Sequence, residues 1–247
     1  MQKLLLAAVI LVCSSALASA QSPGQPRAEI FASSVLAQAV ADAGLVIEAA
    51  PEDVRVKLTL LGELEPLVSA DVVIASNTSA LSLTEIATAL KQPGPLAGMH
   101  FFSPVHKMKL VEIVRALESG EAALATIDAV ARRMGKNTVL VRESPGFITS
   151  RVNAMIGNEA FFMLQEGVAS ARDIDKALKL GLNHPMGPFE LVDLVGLDTR
   201  LAVLEYLHAS LGEKYRPCPL LVQHVKAGRL GKKVGRGVYE YPAATGS

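Results

Sequence analysis

From Leu45 to Val141 the chain alternates short apolar runs with helix-spaced segments, and after Ser144-Pro145-Gly146 the alternation stops. That switch constrains the fold more than any other feature. Leu45–Ala50 (LVIEAA), Val72–Ser76 (VVIAS), His100–Phe102, Leu110–Val114 and Thr138–Val141 read as strands. Pro51 suits the first turn of a following helix. Ser82-Leu-Thr-Glu85 has the form of a capping box for a helix running toward Leu90, and Ala122–Met134 has helical spacing. Strands alternating with helices specify an α/β layer with a largely parallel sheet. Beyond Glu143 only helical patterns remain, over about Phe147–Glu166, Ala171–Leu180, Pro188–Val195, Thr199–Leu211 and Leu220–Ala227, with Ser170 and Asp173 as a cap-like pair. Residues 144–247 are therefore expected to form an all-helical second domain.

A chain of 247 residues, half of them apolar, can bury a sizeable core in one or two domains. Its formal net charge of +0 gives no electrostatic case for a nucleic-acid or anionic-membrane partner. No metal-ligand set is expected. Residues 1–20 differ from the rest: Lys3 precedes the unbroken apolar run Leu4–Val12, then Ala18-Ser19-Ala20 and a polar stretch from Gln21 to Pro26 follow. This is the pattern of a secretory signal peptide cleaved before Gln21, so export is expected. The run is too short to leave a membrane span. The same residues also read as a buried strand, because a Lys followed by apolar residues is how a dinucleotide-binding domain begins. The expected divisions are 1–20, a partial α/β domain over 21–143, and the helical domain over 144–247. Cleavage would leave Cys218 as the one remaining cysteine, between two prolines, with a structural role.

His100 and Glu112 each sit in a strand-like segment, and strand ends are where α/β proteins keep their chemistry. Oxidation of a hydroxyl to a ketone needs a base that removes the hydroxyl proton as hydride leaves the same carbon. Imidazole suits that task, and a neighbouring carboxylate fixes its tautomer and stabilises the imidazolium. Two consecutive strands joined by Pro104–Lys109 would bring such a pair together. Taken alone, a His near a Glu is more often structural. His106, a loop residue beside Lys107, is the obvious decoy.

The blocks His100-Phe101-Phe102, Lys109-Leu-Val-Glu112 and Ser76-Asn77-Thr78-Ser79 closely resemble the 3-hydroxyacyl-CoA dehydrogenase family, including its 3-hydroxybutyryl-CoA members. The resemblance runs from about Glu29 to Tyr241. It implies His100 as general base, Glu112 as its partner, and Ser79 as the hydroxyl that meets the substrate oxygen beside the cofactor. It implies NAD as cofactor and an acyl-CoA as substrate. Glu52 and Lys57 match cofactor contacts, Lys57 also a substrate contact. On residue type alone both are equally an ordinary solvated helix start. Lys233, in Gly231-Lys-Lys233, matches another cofactor-side position. Ser103 stands on the cofactor side and Ser150 near the substrate thioester, both where the family usually has Asn; Ser keeps a donor and an acceptor with shorter reach. Leu180–Leu197 (LGLNHPMGPFELVDLVGL) resembles the family's C-terminal signature, which implies a homodimer through the helical domain. His184, before Pro185, is read as structural.

The family's fold opens with a strand and a Gly-x-Gly-x-x-Gly turn that brings backbone N–H groups to the pyrophosphate. The only comparable spacing here, Gly235-Arg-Gly237, lies near the C-terminus without a following helix and is a false match. The expectation is a truncated Rossmann-like sheet in which Leu45–Ala50 has an unpaired edge, and which binds NADH weakly or not at all. The competing reading is a non-catalytic remnant that keeps a dimerisation and acyl-CoA-binding surface. The family itself is expected in the cytoplasm.

Overall fold

A computed structural model describes residues 10–14, 36–41 and 43–242. The chain divides into two compact units between Phe147 and Ile148. The first is built on a sheet of β1 (Ile10–Ser14), β2 (Ala43–Glu48), β3 (Val73–Ser76), β4 (Leu96–Phe101), β5 (Leu110–Arg115) and β6 (Asn137–Arg142), in that spatial order. β2, β3 and β4 run parallel, β5 turns antiparallel to β4, and β6 is parallel to β5. The short link between β4 and β5 dictates the reversal, since parallel neighbours need a long crossover.

Helices cover both faces. Leu45, Ile47, Val73, Ala75, Ala97, Met99, Val111 and Ile113 pack against Ala123, Leu124, Ile127 and Ala131 of α4 (Glu121–Arg133). The alternate residues Val46, Ile74 and Leu96 pack on the opposite face against α1 (Leu36–Val40), α2 (Val54–Leu64) and α3 (Leu83–Ala87). With both faces buried, β2 and β3 need no polar alternation, which is why they read as continuous apolar runs.

Several boundaries differ from the sequence reading. Pro51 precedes α2 without starting it. Asp53 is the cap, accepting from Arg55 N–H at 2.8 Å and Val56 N–H at 3.3 Å. Those two N–H bonds hold the Asp53 carboxyl below its usual range. Ser82 caps α3 through Glu85 N–H at 3.1 Å, but the helix stops at Ala87 and tight turns carry the chain to Leu90. The expected unpaired edge of Leu45–Ala50 is occupied: Ile10–Ser14 pairs with β2, Leu11 opposite Ile47, antiparallel. Residues that read as part of a signal peptide thus have the backbone of a strand. Lys3 and Ala18-Ser19-Ala20 lie outside the described residues.

The second unit is helical: α5 (Thr149–Gln165), α6 (Ala171–Gly181), α7 (Pro188–Val195), α8 (Leu197–Leu211) and α9 (Pro219–Lys226). Its core holds Phe161, Phe189, Leu197, Leu204, Leu207 and the buried Cys218. Burial pushes the Cys218 thiol up, away from a reactive thiolate. Among the described residues it has no strand, only isolated bridges around Gly231, Arg236 and Glu240. The Gly235-Arg-Gly237 spacing has a packing cause. Asp193 accepts from Val238 and Tyr239 N–H, both at 2.9 Å, and a Cβ on Gly237 would stand 2.1 Å from its Oδ1.

Gly98, in the middle of β4, is equally constrained: a Cβ there would meet Leu83 Cδ1 at 2.6 Å and Val114 Cβ at 2.7 Å. Gly98→Ala is expected to cost about 1–3 kcal/mol by overpacking. The check is the urea midpoint at unchanged slope, and an unshifted midpoint would contradict this packing.

Candidate active site

Four polar side chains interrupt the apolar sheet face that carries Val46, Ile74 and Leu96. They are Glu48, Ser76, His100 and Glu112, with relative exposures of 0%, 0%, 4% and 1%. Glu48 and Ser76 end β2 and β3, and His100 is the penultimate residue of β4. Glu112 lies early in β5, and the antiparallel pairing brings it to the same edge. His100 is directly opposite Glu112 in the register.

The side chains close that pair: His100 Nδ1 lies 2.8 Å from Glu112 Oε2. A carboxylate at this distance accepts, so Nδ1 carries the hydrogen and Nε2 keeps a lone pair. Aromatic rings flank the imidazole. Phe102 is 4.5 Å and Phe147 5.8 Å from it, centroid to centroid. Phe147 reaches this position through a left-handed backbone, φ 50°, which is uncommon for a bulky residue. His106 is exposed on the loop beyond β4.

Ser79 stands on the loop after β3. Asn77 Oδ1 accepts from Phe101 N–H at 2.8 Å, tying the start of this loop to the end of the His100 strand. Glu52 Oε1 accepts from Thr78 Oγ1 at 2.7 Å, Ser79 N–H at 2.7 Å and Ala80 N–H at 3.0 Å. The Ser79 hydroxyl itself has no partner among the described residues. The triad inferred from resemblance is therefore carried on neighbouring strand ends.

Lys57 is neither a solvated helix residue nor a surface cation. It is 1% exposed, with Nζ 2.7 Å from Glu48 Oε1 and 3.1 Å from Ala50 O. Glu48 also accepts from Ser76 Oγ at 2.6 Å. Sequence reading gave Glu48 and Ser76 no role of their own, although a carboxylate inside LVIEAA is a signal that something buried must neutralise it. Ser103 is exposed after β4. In the helical unit Ser150 lies in the first turn of α5, and Lys233 Nζ holds both oxygens of Asp198 at 2.7 and 2.6 Å. Burial works against ionisation of Asp198, yet the bonds from Lys233 and from Thr199 N–H keep its carboxyl below the usual range.

Helices on both faces of a largely parallel sheet, with an imidazole–carboxylate pair at the strand ends, are the makings of a nicotinamide-dependent dehydrogenase. Glu48 and Ser76 are bonded within the protein, so the groups this edge has left to offer the nicotinamide end of such a cofactor and its substrate are His100 Nε2 and the Ser79 hydroxyl. Residues 11–144 match the family model described as 3-hydroxyacyl-CoA dehydrogenase, NAD binding domain, and residues 146–241 match the C-terminal domain of the same family. A probable 3-hydroxybutyryl-CoA dehydrogenase of Bacillus subtilis is 48% identical over 204 residues, 82% of this chain and 71% of that protein. The 3-hydroxybutyryl-CoA dehydrogenase of Bradyrhizobium diazoefficiens is 42% identical over 83% of this chain and 70% of its own length. The crystal structure of (S)-3-hydroxybutyryl-CoA dehydrogenase from Ralstonia eutropha superposes with a TM-score of 0.81 at 42% identity, covering 85% of this chain and 75% of that one. The chain belongs to the 3-hydroxyacyl-CoA dehydrogenase family.

Removing Glu48 strands a buried ammonium. Glu48→Ala is expected to destabilise the first unit by about 3–5 kcal/mol. Chemical denaturation measures this, and a loss below about 1 kcal/mol, the scale of an exposed pair, would show that Lys57 finds water instead.

Proposed function

We propose that this chain oxidises a (3S)-3-hydroxyacyl-CoA to the 3-oxoacyl-CoA, with short 3-hydroxybutyryl-type substrates favoured by its resemblance to the relatives named above. The observation that carries the reading is the buried His100–Glu112 pair at 2.8 Å on the strand-end edge. NAD, when bound, supplies the acceptor for the hydride that leaves C3. His100 Nε2 takes the hydroxyl proton in oxidation and returns it in the reverse direction. Glu112 holds the ring in the tautomer that leaves Nε2 unprotonated, and it stabilises the imidazolium once the proton has arrived. The Ser79 hydroxyl donates to the developing keto oxygen. Phe102 and Phe147 shield the imidazole from water, which strengthens its interaction with Glu112.

By resemblance Glu52, Ser103 and Lys233 are assigned to the cofactor and Ser150 to the substrate, whereas the direct cofactor and substrate contact expected of Lys57 is not available in this ligand-free geometry, where its ammonium is buried against Glu48 and Ala50 O. The helical unit is proposed to form a homodimer. Its exposed Val152, Leu180 and Leu182, at 54%, 77% and 66%, favour such burial. The reading of a non-catalytic remnant has less support, since nothing in a remnant maintains a buried base and its carboxylate in register.

The assay follows NADH during acetoacetyl-CoA reduction and (S)-3-hydroxybutyryl-CoA oxidation. His100→Gln is expected to lower turnover by about 10²–10⁴, the usual worth of a positioned acid or base. A variant with near-wild-type turnover would remove His100 from the reaction. Export is the proposed fate of the N-terminus, supported by Lys3, Leu4–Val12 and Ala18-Ser19-Ala20. Cleavage before Gln21 would also free the β2 edge held by Ile10–Ser14. The intact mass of protein from a secreting host is expected to begin at Gln21; folded soluble protein that retains Met1–Ala20 would overturn export.

A further inference from the structure

We propose that Glu48, Lys57 and Glu52 form one carboxylate–ammonium–carboxylate bracket that positions Ser79, with Lys57 and Glu48 acting from inside the fold. The inference rests on the reading of Ser79 as the hydroxyl that meets the substrate oxygen. It assigns Lys57 a positioning role in this ligand-free geometry.

Lys57 offers three N–H donors. One meets Glu48 Oε1 at 2.7 Å, one meets Ala50 O at 3.1 Å, and Glu52 Oε2 lies within ion-pair distance at 3.8 Å. Each of the two carboxylates then holds one end of the Ser79 loop. Glu48 Oε2 accepts from Ser76 Oγ at 2.6 Å, where β3 ends and the loop begins. Glu52 Oε1 accepts from Thr78 Oγ1 and from the N–H groups of Ser79 and Ala80, all within 3.0 Å. Bonds to an ionised acceptor are stronger than neutral ones. One buried cation therefore sets the spacing between the two anchors of a five-residue loop.

The same arrangement explains why the Ser79 side chain is free. The loop is restrained through the backbone N–H of Ser79, so its hydroxyl need not be used to hold the loop. Stability alone does not account for these charges, because a well-packed apolar cluster usually matches or exceeds a buried ion pair. What an apolar cluster lacks is direction. The bracket gives the Ser76–Ala80 segment one geometry.

The test is amide hydrogen exchange on the ligand-free full chain. Glu52 keeps 36% side-chain exposure, so Glu52→Ala leaves no buried gap. The expected result is exchange at Ser79 and Ala80 faster by about tenfold or more, the behaviour of a loop released to local opening, with Ile113 and Ile127 unchanged. Glu52→Gln, which keeps an acceptor oxygen, should return most of the protection. Glu48→Gln combined with Lys57→Met removes both buried charges together and should give the same local release. Wild-type exchange at Ser79 and Ala80 in either folded variant would overturn the bracket. Inactivity of the wild-type chain on a 3-hydroxyacyl-CoA would overturn the dehydrogenase reading alone, so the two failures are distinguishable.

Discussion

The structure depends on one reversal of strand direction. β5 runs against β4, and the register sets Glu112 directly opposite His100. In a parallel pair the two residues would fall toward opposite ends of the sheet, since His100 lies near the end of its strand and Glu112 near the start of its own. Antiparallel pairing brings both to one edge and one face. The neighbouring Val111 and Ile113 then point to α4, and the core below the pair stays apolar. A slip of one residue would put Glu112 into that core and a valine or isoleucine against the imidazole.

Around this pair the sheet edge is organised by burial. Glu48, Ser76 and Lys57 satisfy one another beneath the Ser79 loop, and Asn77 ties that loop to the His100 strand through Phe101 N–H. Polar groups withdrawn from water in this way have strong directional preferences, because a lost partner costs the full desolvation of the group left behind. The edge is therefore rigid where a base and a hydroxyl must keep a fixed separation. The aromatic rings of Phe102 and Phe147 complete the enclosure on the imidazole side.

Much of this was legible in the sequence. The five strands from Leu45 to Val141 and the helices after Gly146 follow from periodicity, and the chemistry of His100, Glu112 and Ser79 follows from residue type and motif. What periodicity does not carry is partner choice. Lys57 falls on a helix that reads as solvated, yet it is drawn inward by Glu48, nine residues earlier on β2. The apolar run Leu4–Val12 reads as a possible buried strand but states neither direction nor neighbour, and it is Ile10–Ser14 that pairs with β2, antiparallel. Gly237 falls in a glycine spacing that the sequence already discounts as a nucleotide motif, and only the position of Asp193 reveals its steric purpose.

The central claim is that Glu112 fixes His100 with Nδ1 protonated and Nε2 free to act as the base. The nitrogen-15 shifts of the His100 ring, measured at a pH where the imidazole is neutral, read the tautomer directly. The account predicts the Nδ1–H form in the wild type and its loss in Glu112→Leu, which removes the acceptor. A wild-type His100 in the Nε2–H form, with its lone pair turned toward Glu112, would contradict it.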